Sequence, residues 1–179
     1  MAIIKPNNNT ISAITALPAA IPTGKILQVV QATKTNTFSS TSTSYVDITD
    51  YNVAITPSSS SNKILIQGFL TISGNWWNTS GTYFQLVRGS TNILTSSGSS
   101  NNGTFVFAQE AGSENASTKS TSPCHFSFLD SPSTTSATTY KVQGKTSTGS
   151  NGQFVINYVL QQGVNFTGTS SIIAMEISA

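Results

Sequence analysis

The sequence predicts an all-β fold, an antiparallel β-sandwich or barrel, and three observations predict it. About ten short runs rich in Val, Ile, Phe and Tyr recur along residues 26–179, separated by clusters of Gly, Ser, Asn and Pro, the pattern of strands joined by polar turns. No segment after residue 26 repeats its apolar residues at the spacing of an amphipathic helix. Only 8% of the residues are charged, which leaves no material for the Glu-, Lys- and Leu-rich heptads of a coiled coil. A length of 179 residues suits one domain, or one domain with an arm.

Residues 1–25 are set apart from the rest. Pro6, Pro18 and Pro22 break any long regular element. The aliphatics between them (Ile3, Ile4, Ile11, Ile14, Leu17 and Ile21) need something to bury them. Ile11, Ile14 and Leu17 recur every three residues, which allows one or two helical turns; the expectation is an extended N-terminal arm whose anchors are those six side chains. Fully extended, such an arm reaches on the order of 80 Å, enough to touch a neighbouring subunit.

From residue 26 the strands follow in order. Ile26-Leu-Gln-Val-Val-Gln-Ala is β-branched, and Ser44-Tyr-Val-Asp-Ile-Thr separates Tyr45 from Val46 and Ile48 by alternation. Asn52-Val-Ala-Ile-Thr stops at Pro57 and a serine run. Lys63-Ile-Leu-Ile-Gln-Gly-Phe-Leu-Thr-Ile is the longest apolar stretch. Then come segments beginning at Tyr83, Asn92, Phe105, His125, Tyr140, Phe154 and Ile172. Long loops are expected at 73–81, 96–103 and 111–122. The first holds Trp76 and Trp77, which would face opposite sides if extended. An exposed Trp there would be a binding anchor; alternatively, both pack onto the sandwich end or a subunit interface. Tyr83, Phe105, Phe107, Phe126 and Phe128 belong either to the core or to an interface, and alternation alone does not say which.

Composition removes several functions. Seven Lys and one Arg are scattered, so there is no basic patch for nucleic acid. No apolar run approaches the roughly 18 residues of a membrane span. Met1-Ala-Ile-Ile-Lys-Pro lacks the regions of a secretion signal, so no export is expected. One cysteine, Cys124, allows no disulfide framework within the chain. The Asn-x-Ser/Thr matches at Asn8, Asn78, Asn102, Asn115 and Asn165 are what chance yields here, because Ser, Thr and Asn make up 70 of the 179 residues. A surface of hydroxyls and amides repels its neighbours weakly and depends little on salt. That suits dense packing in an assembly, and it is also what a β-rich composition bias produces.

Catalytic sets are equally thin. Cys124 and His125 are adjacent, but consecutive strand residues point to opposite faces, so they cannot act as nucleophile and base. One Cys, one His and six carboxylates have no metal-ligand spacing, and neither a phosphate-cradling Gly loop nor Gly-x-Ser-x-Gly occurs. Asp47/Asp50 and Glu110/Glu114 are the carboxylate pairs a glycosidase would need. Turn carboxylates bonding local backbone N–H groups explain them better. The reading is no enzyme, no cofactor and no metal.

Several stretches resemble a family of small β-sandwich proteins of tailed bacteriophages, including marine ones. They are Leu27-Gln-Val-Val-Gln-Ala, Phe38-Ser-Ser-Thr-Ser-Thr-Ser-Tyr-Val-Asp-Ile-Thr and Val53-Ala-Ile-Thr-Pro-Ser-Ser-Ser-Ser-Asn-Lys-Ile-Leu-Ile, followed by Leu86-Val-Arg-Gly-Ser-Thr, the segment from Phe128 to Gln143, and Ile172-Ile-Ala-Met-Glu-Ile-Ser. The resemblance runs in order over residues 27–178. It implies a jelly-roll-like sandwich over 26–179 that assembles as a homotrimer, in a virion assembled in the host cytoplasm. It implies a capsid decoration (cement) protein, its arm on the major capsid protein, or a tail-fibre or receptor-binding head, its arm on a tail protein and its loops on a host glycan or protein. The chain's modest length favours the first. Trp76, Trp77 and the Ser/Gly/Asn-rich loops favour the second.

Overall fold

The computed structural model describes residues 24–76, 81–94, 96, 103–108, 121–147, 152–161 and 164–179. The arm residues Ile3, Ile4, Ile11, Ile14, Leu17 and Ile21, and Trp77, lie outside them. Every regular element described is a strand: β1 (Ile26–Lys34), β2 (Phe38–Ser40), β3 (Val46–Ile55), β4 (Lys63–Trp76), β5 (Gly81–Arg88), β6 (Thr91–Leu94), β7 (Phe105–Ala108), β8 (Thr121–Asp130), β9 (Thr138–Thr146), β10 (Gly152–Ile156), β11 (Tyr158–Gln161), β12 (Val164–Thr167) and β13 (Ser170–Ile177).

The pairings are nested. β1 pairs with β13, β3 with β9, β4 with β8, and β5 with β6 and β7, all antiparallel. The chain is therefore one long ribbon of paired strands rolled into two layers. β13 joins β4, and β9 joins β5, so one layer reads β1-β13-β4-β8 and the other β3-β9-β5-β6. That is a jelly roll, two Greek keys wrapped over one core.

β4 is the spine of the first layer. Along one edge it carries β8, from Ile64–Asp130 to Ser73–Thr121. Along the other it pairs β13 up to Phe69 and then β10 from Ile72 to Trp76. β2 flanks β10 as β1 flanks β13. Between β10 and β13 the chain leaves the sheet to form the β11–β12 hairpin. Asn157 stands at that exit with φ 63°, a left-handed conformation that Asn tolerates better than most residues. It is fully buried. Its amide nitrogen donates to the carbonyls of Lys34 (2.8 Å) and Asn36 (3.2 Å), its Oδ1 accepts from Ser170 Oγ (2.6 Å), and its backbone N–H donates to Thr71 (2.9 Å).

Alternation fills the space between the layers. Ile64, Ile66, Leu70 and Ile72 of β4 face Phe84 and Leu86 of β5 and Tyr140 and Val142 of β9, all fully buried. Phenylalanine rings link the layers: Phe126 stacks on Phe105 (5.7 Å between centroids), Phe105 on Phe84 (5.0 Å), and Phe154 meets Phe84 edge-on (5.5 Å). Phe105 and Phe126, with Phe128, thus pack against the core. A bulge in β3 lets Ile48 and Tyr51 both point inward although three residues apart, with Asp50 at φ 59°. The Tyr51 hydroxyl then reaches the other layer, 3.0 Å from the carbonyl of Phe69 and 2.8 Å from that of Ser171.

Several details depart from the sequence reading. The segments expected from Ser44 and from Asn52 are one bulged strand, β3, and the loop expected at 111–122 ends where β8 begins at Thr121. The segment 73–76 is strand, not loop, because β10 supplies a ladder that carries β4 on to Trp76, opposite Gly152. Trp76 is therefore a strand-end residue. The stretch from Phe154 is two strands broken at Asn157. β2 and β12, short and poor in large aliphatics, have no counterpart among the expected strands.

A side chain at Gly68 would collide. An added Cβ lies 2.7 Å from Phe126 Cζ and 2.7 Å from Tyr51 Oη, whereas at Gly24 it meets nothing within 4 Å. Because two backbone carbonyls hold the Tyr51 hydroxyl, it has little room to yield. Gly68→Ala is expected to destabilise the fold by about 1–3 kcal/mol, seen as a lower Tm in a thermal melt, while Gly24→Ala leaves Tm unchanged.

Candidate functional site

The inward-facing residues of β1, β13, β4 and β8 are committed to the core, so the outer face of that layer is what the protein presents. Register places its side chains in rows. Val29, Met175, Leu65 and Leu129 form one unbroken apolar row across all four strands. Val29 is 58% exposed and Leu129 48%, while Leu65 and Met175 are half-buried between them. Toward one end lie Ile26 (59% exposed), Ile177 and Lys63. Toward the other come Gln31, Ile173, Gln67 and Ser127, then Thr33, Ser171, Phe69 and His125.

These last two rows flank a shallow groove of about 530 Å³. Gln31 Nε2 donates to Ser171 Oγ (2.9 Å), and Gln67 Nε2 lies 3.4 Å from Ser127 Oγ. The Phe69 and His125 rings sit 5.9 Å apart, tilted by 39°. Cys124, one residue from His125, packs on the opposite face against the core, where burial pushes its thiol pKa up. The two are not a catalytic pair.

The outer face of the second layer is built differently. There the matching row is Asp47, Gln143 and Gln85 in register, continued to Asn92 by hydrogen bonds. Asp47 accepts from Lys141 Nζ (2.8 Å) and Gln143 Nε2 (2.7 Å), Gln85 Nε2 donates to Gln143 Oε1 (2.6 Å), and Asn92 Nδ2 donates to Gln85 Oε1 (2.7 Å). The Lys141 and Gln143 bonds hold the Asp47 carboxyl below its ordinary pKa. Lys145 Nζ sits 4.9 Å from the Tyr45 ring centroid and 5.5 Å from that of Tyr83. One layer thus shows an apolar row to solvent, and the other a hydrogen-bonded polar one.

The described carboxylates are structural. Asp130 takes Arg88 Nη1 (2.8 Å) and the Tyr140 hydroxyl (2.7 Å), and Asp50 accepts from Asn36 Nδ2 (2.7 Å). Glu176 is buried on the inner side of β13, where Oε1 accepts from Ser58 N (2.6 Å), Ser58 Oγ (2.7 Å) and Asn62 Nδ2 (2.7 Å). The expectation of turn carboxylates capping local backbone therefore gives way to bonds between segments distant in sequence, because these residues sit in strands or at their ends. Glu110 and Glu114 lie outside the described residues. Among the described residues no three of His, Cys, Asp and Glu gather in one place, and no helix is long and apolar enough to cross a membrane.

The row of Val29, Leu65, Leu129 and Met175 was not singled out from sequence, although a signal was there. Ile64-Leu-Ile and Ile172-Ile-Ala-Met are consecutive apolar runs, which mean a strand apolar on both faces.

No protein-family model matches the chain, and no curated protein matches it. Solved structures do. A chain of T=1 particles derived from infectious bursal virus is 17% identical, with a TM-score of 0.34 over 85% of this chain and 36% of that one. A chain of the T13 particle of infectious bursal disease virus (IBDV) is 18% identical, with a TM-score of 0.36 over 85% and 36%. The Gx strain of infectious bursal disease virus provides a third, 17% identical, with a TM-score of 0.37 over 84% and 38%. This chain spans little more than a third of the length of each. The jelly-roll assignment rests on the strand pairings above, and at these TM-scores the likenesses add nothing to it.

Glu176 gives the fold a pH dependence of known sign. Burial alone would raise its pKa, but the bonds from Asn62 and from Ser58 and Ser59 outweigh burial and hold it below the ordinary value. Its contribution to stability is therefore present above the unfolded-state value of about 4.3 and lost as pH falls through the lower folded value. Thermal melts from neutral pH downward are expected to show Glu176→Gln clearly less stable than wild type at pH 7, with the gap narrowing below about pH 4.

Proposed function

We propose that the chain is a non-enzymatic structural protein of a bacteriophage virion, a homotrimeric capsid decoration protein that stabilises the head by bridging major capsid proteins. The observation that carries this reading is the outer face of the first layer: an exposed apolar row on a sandwich whose described carboxylates are all engaged in holding the fold. Such a face is an assembly surface. The sequence resemblance over residues 27–178 supplies the phage and the decoration role.

In this reading residues 1–25 dock on the capsid protein through Ile3, Ile4, Ile11, Ile14, Leu17 and Ile21. Burying aliphatic area at a junction between capsomers opposes the strain of packaged nucleic acid. Three such arms on one trimer raise the effective concentration of each, so the assembly holds more firmly than one contact would. The low charge of the globule lets copies crowd without mutual repulsion.

Imaging intact particles and counting copies tests the role. Hundreds of copies on the head support decoration; a few tens at the tail support a receptor-binding head, with Trp76 and Trp77 as its contact candidates. Deleting residues 2–22 is expected to abolish attachment to particles while leaving the melting of the sandwich close to wild type. Wild-type attachment by the truncated chain would overturn the arm's role.

A further inference from the structure

We infer that the outer face of β1, β13, β4 and β8 is where one copy of this chain meets another. The contact sets this face against the same face of the second copy, a two-fold arrangement, so it is separate from the contacts of the proposed trimer and does not depend on them.

Charge is the first argument. A face that meets its own copy sets like against like, so an excess of either sign would repel. Across the four rows from Ile26 to His125 the only Lys, Arg, Asp or Glu is Lys63, at the rim. The other layer carries Asp47, Lys141 and Lys145 on its outer side. Composition is the second. Val, Met, Leu and Ile at the centre, with no buried charge, match the core of a homo-oligomer interface. Gln31, Gln67, Ser127 and Ser171 beside them carry both donors and acceptors, so the polar rows also pair with their own kind.

Area is the third argument. Four strands about 4.8 Å apart and four rows about 6.8 Å apart cover on the order of 500 Å² per copy. Two copies then bury about 1,000 Å², the lower bound for a specific interface. The association should therefore be reversible and concentration-dependent.

Sedimentation velocity on the full-length chain, up to roughly 100 μM, is the test. Wild type is expected to associate. Val29→Glu with Leu129→Glu is expected to weaken association roughly tenfold or more while keeping the wild-type circular dichroism spectrum, since both side chains are exposed in the single copy. Leu129→Gln serves if the double variant misfolds. Ala54→Glu, an exposed position on the other layer, should leave association unchanged. A monomeric wild type overturns the inference, including the case in which the chain's own first 23 residues cover the face; so does unaltered association in the variants. A chain that associates through this face yet is missing from purified particles leaves the inference standing and removes the virion role.

Discussion

The ladder that β4 makes with three partners is the constraint on which the rest of the molecule depends. One edge is given to β8, and the other is shared end to end by β13 and β10. Because side chains alternate with a period of two, this register fixes which residues fill the core and which reach solvent. A slip of one residue would send Ile64, Ile66, Leu70 and Ile72 outward. Phe69 would then enter the core beside Tyr51, whose hydroxyl is bonded to that residue's carbonyl. The apolar outer row and the filled core are thus two consequences of one register.

Sharing an edge creates a seam, and a seam leaves backbone groups without a ladder partner. Asn157 closes it. Its side chain imitates the missing strand by bonding the carbonyls of Lys34 and Asn36 and the hydroxyl of Ser170. An apolar residue there would leave buried polar groups unsatisfied, which costs more than the bonds themselves contribute. The left-handed backbone at Asn157 then turns the chain out into the β11–β12 hairpin. Lys34, buried nearby with its ammonium on Asn36 Oδ1 (2.5 Å), belongs to the same corner, where burial lowers its pKa against the pull of Asp50.

Most strands were legible because each shows the core a regular set of apolar residues, and alternation records that directly. The pairing order was not. Nothing local in Ile26–Lys34 says that its partner is Ser170–Ile177, nearly the whole chain away; that choice comes from the closure of the rolled ribbon. The break in Phe154-Val-Ile-Asn-Tyr-Val was hidden because the apolar pattern continues through it, although Asn in mid-strand is the residue that admits a positive φ. Trp76 reads as a loop residue because Gly74 and Asn75 are weak strand formers, and a paired neighbour overrides such preferences. The outer row was legible only as an excess: strands one layer deep with apolar residues on both sides.

That excess is informative because the chain has polar residues to spare. With hydroxyls and amides so abundant, an outer row without Val, Met, Leu and Ile was within easy reach, and the second layer has one. Its row from Asp47 to Asn92 satisfies its own donors and acceptors and offers little to a neighbour. The first layer instead leaves apolar area in water, which is unfavourable for an isolated copy by about 25 cal/mol per Å². Contact with a second copy at the first face, as inferred above, would remove that area from water. A surface with little charge then has a specific consequence. With no long-range field to steer encounter, specificity comes from shape and from the apolar row alone, and the contact should change little with ionic strength.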